Sequence, residues 1–143
     1  MADNTNNKVK ELVVEASTER LPEVLGFVEG CLEEASCPMK TQMQISVAVE
    51  EIFVNIAQYA YAPKTGSATV HVEISGDPPE AAITFIDKGV PYDPLKKPDP
   101  DISLSAEERE IGGLGIYMVK KSMDDVVYEY KDGQNVLTIK KKL

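Results

Sequence analysis

The segment from about Lys40 to Tyr61 constrains the fold of this chain more than any other. It has the length and spacing of a helix and is apolar on nearly every side, so we expect most of it to be buried. Pro63 and Gly66 end it. Its apolar positions are Met43, Ile45, Val47, Val49, Ile52, Phe53, Val54, Ile56 and Ala60. Such a helix needs other elements to cover it, which the rest of the chain must supply.

Shorter patterns on either side of this helix predict two further helices and five strands. Helical spacing continues from a cap at Ser17 to about Ala35, and again from Ile116 to Met123. Alternating segments predict strands at Lys8–Ala16, Ala68–Ser75, Ala81–Ile86, Val126–Tyr130 and Val136–Lys140, the last two joined at Asp132-Gly133. Strands joined by hairpins, with the helices grouped along the chain, predict an α+β fold. We expect a two-layer sandwich with a mixed, mostly antiparallel sheet and helices on one face. We expect residues 1–7 to be a disordered lead-in and 8–143 to be a single domain.

The charge of the chain excludes some classes of partner. Lys and Arg total 15 against 24 Asp and Glu, a formal net charge of −9, which repels nucleic acid backbones and anionic membranes. We therefore expect no nucleic acid partner and no membrane partner. The chain has no apolar stretch of bilayer length and no secretory signal, which indicates a cytoplasmic protein. Cys31, Cys37 and His71 are one ligand short of a closed zinc site. The two cysteines are predicted to be free thiols, with a disulfide between them as the alternative.

A narrow line of polar or small side chains runs along the long helix. Gln44, Ala48, Glu51, Asn55 and Tyr59 lie three or four residues apart and therefore share one face. A carboxylate and an amide on the buried side of a core helix are costly unless they are paired or face a cavity. We interpret Glu51 and Asn55 as candidate site residues. The alternative is that they cap a neighbouring loop or lie at a surface edge.

Two further places suit a ligand. Asp87 ends a predicted strand and Gly89 follows it, which puts a carboxylate and flexible backbone at a sheet edge, although a simple turn would also explain them. Gly112-Gly113-Leu114-Gly115 opens the last helix, where unpaired N–H groups favour an anion. The alternative there is a glycine hinge without a ligand, and the missing Gly-Lys-Ser/Thr excludes a Walker loop. The long aperiodic segment 91–110 predicts a functional lid or an undetected element.

In chain order, these three places resemble the nucleotide-binding boxes of the Bergerat-fold ATPases, which include gyrase, heat-shock chaperones, histidine kinases and mismatch-repair proteins. The resemblance is carried by EEIFVNIAQYAY, FIDKGVPYDPL and EREIGGLGIYMVKKSMDDVVYEYKDGQNVLTIKKKL. From Glu11 to its C-terminus the chain looks like the stand-alone anti-sigma factor serine/threonine kinases of that superfamily. The resemblance implies a Bergerat fold, ATP or ADP with Mg²⁺ as ligands, and transfer of the γ-phosphate of ATP to a protein serine. The motifs of eukaryotic-type kinases are absent from the sequence.

The resemblance also implies roles for single residues. Asn55 would coordinate Mg²⁺, and Glu51 would be the general base that acts on the attacking hydroxyl. Asp87 would accept a hydrogen bond from the adenine amino group, and Gly89 would let the ring lie against the backbone, with Pro91 in the same binding segment. An amide oxygen suits Mg²⁺, and a carboxylate suits an amine donor.

On the phosphate side, the resemblance implies that Gly112, Gly113, Leu114 and Gly115 wrap the phosphates and that Arg109 reaches the γ-phosphate. Residues 91–110 would be the ATP lid. A bound Mg²⁺ would also explain how an acidic chain holds a polyanion.

The same resemblance implies partners: a sigma factor, an anti-anti-sigma factor of the STAS type, and a second copy of the chain in a homodimer. One alternative is a non-catalytic, nucleotide-dependent partner-switching module, which would not need Glu51. Another is the catalytic domain of a histidine kinase, for which a helical phosphoacceptor segment is missing. Three residues depart from the family pattern: Tyr59, where His is frequent, Pro91, where histidine kinases carry Gly, and Asn135, where Thr is frequent. The departure at Asn135 leaves one adenine or water contact open.

Overall fold

The structure of the chain is a computed structural model that describes residues 8–96 and 113–143. The strands are β1 (Lys8–Glu15), β2 (Ser67–Ser75), β3 (Glu80–Asp87), β4 (Asp125–Lys131) and β5 (Gln134–Lys142). The helices are α1 (Leu21–Glu34), α2 (Met39–Tyr59) and α3 (Gly113–Ser122). Each predicted helix and strand is present, with its ends displaced by a few residues at most. The predicted lead-in over residues 1–7 and most of the predicted lid lie outside the described residues.

The strands form one sheet in the order β1-β2-β3-β5-β4. We expected a mixed, mostly antiparallel sheet, and every neighbouring pair of described strands is antiparallel. The turn between β4 and β5 has positive φ at both central residues, 55° at Asp132 and 77° at Gly133. That backbone is typical of a type I′ turn, whose twist matches the twist of the strands it joins. The predicted hairpin at this dipeptide is therefore confirmed.

The three helices cover one face of the sheet, and the core lies between the two layers. Every second residue of β2 and β3 is buried, which is the period of strands with one covered face. The helices contribute fully or almost fully buried side chains to the same core: Val24, Val28 and Leu32 from α1, and Ile45, Val49, Ile52 and Phe53 from α2. The α+β two-layer architecture predicted from the sequence is confirmed.

The prediction that most of α2 is buried is wrong. Met43 and Val47 are 61% and 62% exposed, and Met39 precedes them at the same four-residue spacing with 65% exposure. These three side chains lie on the side of α2 that faces solvent. A helix in a two-layer domain buries one face against the sheet and its neighbouring helices, so the outer face stays open whatever its composition.

Both cysteines are free, as predicted: Cys31 is buried in the core and Cys37 is half-buried. Burial raises the pKa of each thiol above its ordinary value, which favours the protonated form. The alternative of a disulfide between them is not realised. Within residues 8–96 and 113–143, no helix has the length and apolar character needed to cross a bilayer.

We predict that Phe53→Ala lowers the free energy of unfolding by about 3–5 kcal/mol, because the ring is fully buried and its removal leaves a cavity. Met43→Ala, on the outer face of the same helix, should change it by less than about 0.5 kcal/mol. Urea denaturation followed by circular dichroism measures both values. Equal losses in the two variants would contradict the orientation of α2.

Candidate functional site

A cavity of about 380 Å³ opens between the C-terminal half of α2, the strands β3, β5 and β4, and the segment that follows β3. Sites for small molecules have volumes of about 300–1,000 Å³. Most of the walls are apolar: Ile52, Ile56, Ala60, Phe85, Val90, Pro91, Pro94, Ile116 and Leu137. The polar lining residues are Asn55, Asp87 and Asn135, with three tyrosines, Tyr59, Tyr92 and Tyr128. Apolar walls with a few fixed polar groups suit a flat heteroaromatic ligand.

Asp87 is the buried acidic side chain of this cavity. It is 5% exposed at the last position of β3. Its Oδ1 accepts hydrogen bonds from the backbone N–H of Gly89 and from Asn135 Nδ2, both at 2.9 Å. Such bonds offset the cost of burying a carboxylate. The bond to Gly89 closes a local turn, so the turn considered as an alternative is present, and the same side chain also lines the cavity. Since both bonds end on Oδ1, Oδ2 is the oxygen left for a ligand.

Gly89 brings the segment after β3 against the end of α2. A Cβ at this position would overlap the backbone carbonyl of Ala60, and the next residue, Val90, donates its N–H to that same carbonyl at 2.9 Å. Close backbone approach therefore requires glycine here, independently of any ligand. The neighbouring backbone is held from the other side, because Tyr61 Oη accepts the N–H of Lys88 at 2.7 Å.

The polar line of α2 meets the first turn of α3. A Cβ at Gly115 would overlap the carboxylate of Glu51, so glycine lets the two helices come this close. Asn55, one turn further along α2, donates from Nδ2 to Glu51 Oε2 at 3.4 Å. The N-terminal end of α3 carries a partial positive charge, which favours a carboxylate beside it. The structure thus brings Glu51, Asn55 and the start of α3 together.

The donors around Asn55 fit one Mg²⁺ position with few protein ligands. Because Nδ2 points to Glu51, Asn55 Oδ1 is the oxygen available to a cation. Among the described residues, no group of three His, Cys, Asp or Glu side chains lies close enough together to hold a metal ion. Asn55 is therefore the residue on the cavity wall that could hold a Mg²⁺, an ion that proteins commonly bind through few side-chain oxygens.

Several predicted site residues are described only in part or not at all. Arg109 and Gly112 lie outside the described residues, and Gly113 and Leu114 are described only as the first residues of α3. Of the predicted lid, the structure describes Pro91 to Lys96, which ends in a short 3-10 turn, and Pro91 lines the cavity. Tyr59, from the polar line, also lines the cavity and is 60% exposed.

Sequence reasoning did not find Tyr92 or Tyr128, and it treated Asn135 only as a departure from a family pattern. Asn135 is 7% exposed. Its Oδ1 accepts hydrogen bonds from the backbone N–H of Tyr92, at 3.1 Å, and from the hydroxyl of Tyr128. Counting back from the Asp132-Gly133 turn pairs Tyr128 with Leu137, which is buried. That count was available from the sequence and would have placed Tyr128 on the inner face of the sheet.

Comparison with known proteins gives the class of this domain. The histidine kinase-like ATPase domain family matches residues 14–141, which is most of the chain. The chain belongs to this family. Membership implies that it binds a nucleotide, in agreement with the cavity, with Asp87 on its wall and with the helix start beside it.

Individual relatives carry the names of protein kinases. The serine/threonine-protein kinase BtrW of Bordetella bronchiseptica is 25% identical over 100 residues, which cover 70% of each chain. The serine-protein kinase RsbW of Bacillus cereus (strain B4264) is 34% identical over 100 residues, or 67% of this chain and 61% of that protein. RsbW of Listeria monocytogenes is 27% identical over 118 residues, which cover 79% of this chain and 74% of that protein. The match thus spans less than two thirds of the length of the Bacillus cereus relative.

We predict that Gly89→Ala lowers the free energy of unfolding by about 1–3 kcal/mol, because the new methyl group would overlap the Ala60 carbonyl at the end of α2. Gly115→Ala should be nearly neutral for stability, because the overlapping atoms belong to the movable end of Glu51. Gly30→Ala, in α1, is the control: no heavy atom lies within 4 Å of its added Cβ, so it should stabilise by about 0.5–1 kcal/mol.

Chemical denaturation of the three variants against the wild type measures these differences. A Gly89→Ala protein as stable as the wild type would contradict the close approach of this segment to α2.

Proposed function

We propose that the chain is an ATP-dependent anti-sigma factor serine/threonine protein kinase, which binds a sigma factor and phosphorylates a serine of an anti-anti-sigma (STAS) partner. The observation that carries the proposal is the juxtaposition of three groups: buried Asp87 on an apolar cavity, Asn55 on its wall, and Glu51 against the first turn of α3. The names of the relatives support it.

The base of the nucleotide would occupy the cavity. Its apolar walls, among them Ile56, Phe85 and Leu137, would cover the two faces of an adenine ring. Asp87 Oδ2 would accept the exocyclic amino group, while Oδ1 stays bonded to Gly89 and Asn135. Adenine offers a donor at the position where guanine offers an acceptor, so a fixed carboxylate favours adenine.

The phosphates would lie towards α2 and the start of α3. Asn55 Oδ1 is the proposed protein ligand of Mg²⁺, and a bound Mg²⁺ would supply positive charge beside the phosphates. Gly112, Gly113, Leu114 and Gly115 are proposed to line the phosphates, since backbone N–H groups at a helix start favour anions. Arg109 is proposed to contact the γ-phosphate.

Glu51 is proposed as the general base. Its carboxylate would accept the proton of the substrate hydroxyl as the oxygen attacks the γ-phosphate. The bond from Asn55 Nδ2 and the packing against Gly115 would fix the direction of the side chain. A binding module that performs no transfer has no use for a carboxylate at this place, so Glu51 favours the kinase over that alternative.

The partners belong to the proposal as well. We place the protein in the cytoplasm, as a homodimer, and expect its sigma factor and STAS partners to bind in alternation with the nucleotide state. A pull-down from native lysate with ATP and with ADP, followed by mass spectrometry, would identify them. Light scattering at micromolar concentration tests the dimer, and a monomer mass would remove that part of the proposal.

We predict that Glu51→Gln lowers phosphotransfer by about 10²–10⁴-fold while leaving the affinity for Mg-ATP within a few-fold of wild type, because a base acts only in the transfer step. Asn55→Ala should weaken Mg-ATP binding and turnover together, because it removes the metal ligand. Glu50→Gln, an exposed neighbour of Glu51, is the matched control and should behave like the wild type. Transfer of label from γ-labelled ATP to a co-purified partner, with calorimetry for affinity, measures both effects.

If Glu51→Gln labelled the partner as fast as wild type, Glu51 would not be the base. If the wild type bound ATP and its partners but labelled none of them, the chain would instead be the non-catalytic partner-switching module.

We predict that Asp87→Asn weakens ATP binding by about ten- to a hundredfold, the equivalent of one hydrogen bond to a charged group. The amide oxygen can still accept from Gly89 and Asn135, so the fold is kept, but an NH₂ group now meets the amino group of adenine. Asp125→Asn, exposed at the start of β4, is the control. Calorimetric affinities for Asp87→Asn equal to wild type would exclude Asp87 from base recognition.

A further inference from the structure

Asn135 is the most highly connected polar side chain of the cavity. It faces Asp87 across the β3–β5 pairing and is 7% exposed. Its Nδ2 donates to Asp87 Oδ1 and to the carbonyl of Val90, each at 2.9 Å. Its Oδ1 accepts from the N–H of Tyr92 at 3.1 Å and from the hydroxyl of Tyr128. A longer contact of 3.5 Å joins Nδ2 to the carbonyl of Gly89. An amide has two donor hydrogens and two acceptor lone pairs, so the four shorter bonds use it completely.

This network restricts how the Asp87 carboxylate can turn. Oδ1 is held by two donors, Gly89 N and Asn135 Nδ2, and a rotation of the carboxylate would break both bonds. The amide is restricted in turn, since a flip of Asn135 would turn its oxygen towards two acceptors, Asp87 Oδ1 and the Val90 carbonyl, and its NH₂ group towards the N–H of Tyr92, which can only donate. A buried donor or acceptor left unpaired costs about 1–3 kcal/mol, so each of these changes is unfavourable.

The Tyr128 hydroxyl is the second group that holds the amide oxygen in place. It donates to Asn135 Oδ1 from β4, the strand on the far side of β5 from β3. Burial raises the pKa of Tyr128 above its ordinary value; a hydrogen bond from the backbone of Tyr92 opposes this shift, and the nearby Asp93 and Asp87 carboxylates add to it. The hydroxyl therefore keeps the proton that it donates to Asn135 Oδ1.

We propose that Asn135, oriented by Tyr128, is a positioning residue that sets base specificity by holding Asp87 Oδ2 in one direction for the amino group of a 6-aminopurine. The proposal rests on the proposed function, in which Asp87 meets the base. A fixed carboxylate rejects a 6-oxopurine, because two acceptors then face each other. A carboxylate free to move can shift towards N1–H of the 6-oxopurine and accept from it instead, so loss of the network reduces discrimination.

The probes are Mg-ATP and Mg-ITP, which differ in the group at position 6 of the base and in the N1 proton that accompanies it. Calorimetry on the full chain should give a wild-type ratio Kd(ITP)/Kd(ATP) of about ten or more. Asn135→Ala should lower this ratio by about tenfold. Asn135→Leu, close in size but without donors, should lower it at least as much. Tyr128→Phe should lower it by about threefold, because the bond from Tyr92 N–H still holds the amide oxygen.

Thr138→Val is the matched control. It removes a hydroxyl contact of 3.0 Å to Thr84, between the same two strands but on the opposite face of the sheet. It should leave the ratio unchanged, even if it lowers stability as Asn135→Ala does.

The outcomes separate this proposal from the proposed function. If Asn135→Ala weakened the binding of ATP and of ITP equally, Asn135 would have only a structural role and the proposal would be overturned. If Asn135→Ala does not fold, an unchanged ratio in Tyr128→Phe overturns it instead, and a lowered ratio there supports it. A wild type that binds neither nucleotide would overturn the proposed function, and one that binds both equally would remove Asp87 from base recognition.

Discussion

The burial of one carboxylate at the end of β3 is the interaction on which the rest of the site depends. Asp87 is almost inaccessible to solvent, so its charge requires donors from the protein. Those donors come from the turn that follows it, through Gly89, and from β5, through Asn135. Satisfying the carboxylate therefore fixes the path of the chain after β3 and the register of two strands. The same bonds leave Oδ2 without a protein donor, which is why we propose it as the oxygen that meets the ligand.

Close approaches at two glycines bring the parts of the candidate site together. Gly89 lets the segment after β3 touch the last turn of α2 at Ala60, which closes one end. Gly115 lets α3 begin against Glu51, which places a helix start beside the polar line of α2. At Gly89 the packing itself requires glycine, whereas at Gly115 the overlapping atoms belong to the movable end of Glu51. The ligand roles that we propose follow from what these two approaches bring together. The two-layer fold thus supplies an apolar pocket with acidic and amide groups at fixed places.

The helices and strands of this fold were predictable because each has a short-range periodicity in the sequence. The hairpin at Asp132-Gly133 was predictable from its turn residues. Glu51 and Asn55 could be selected as candidates because polar side chains on an otherwise apolar helix need an explanation, and the family resemblance suggested their roles. The bonds of Asn135 were not found, because they depend on which strands become neighbours in the sheet. The exposure of Met43 was missed because a helical pattern does not tell how many layers will cover it.

A crystal structure of the chain with Mg²⁺ and a non-hydrolysable ATP analogue would show whether Asp87 and this cavity bind the base. We expect the adenine ring inside the cavity, with its amino group within hydrogen-bond distance of Asp87 Oδ2, and Mg²⁺ on Asn55 Oδ1 with the triphosphate extending towards α3. We also expect Asn135 to keep its bonds to Asp87 and to the Val90 carbonyl. A nucleotide bound outside this cavity, or an adenine whose amino group does not meet Asp87, would show that the proposed site is wrong.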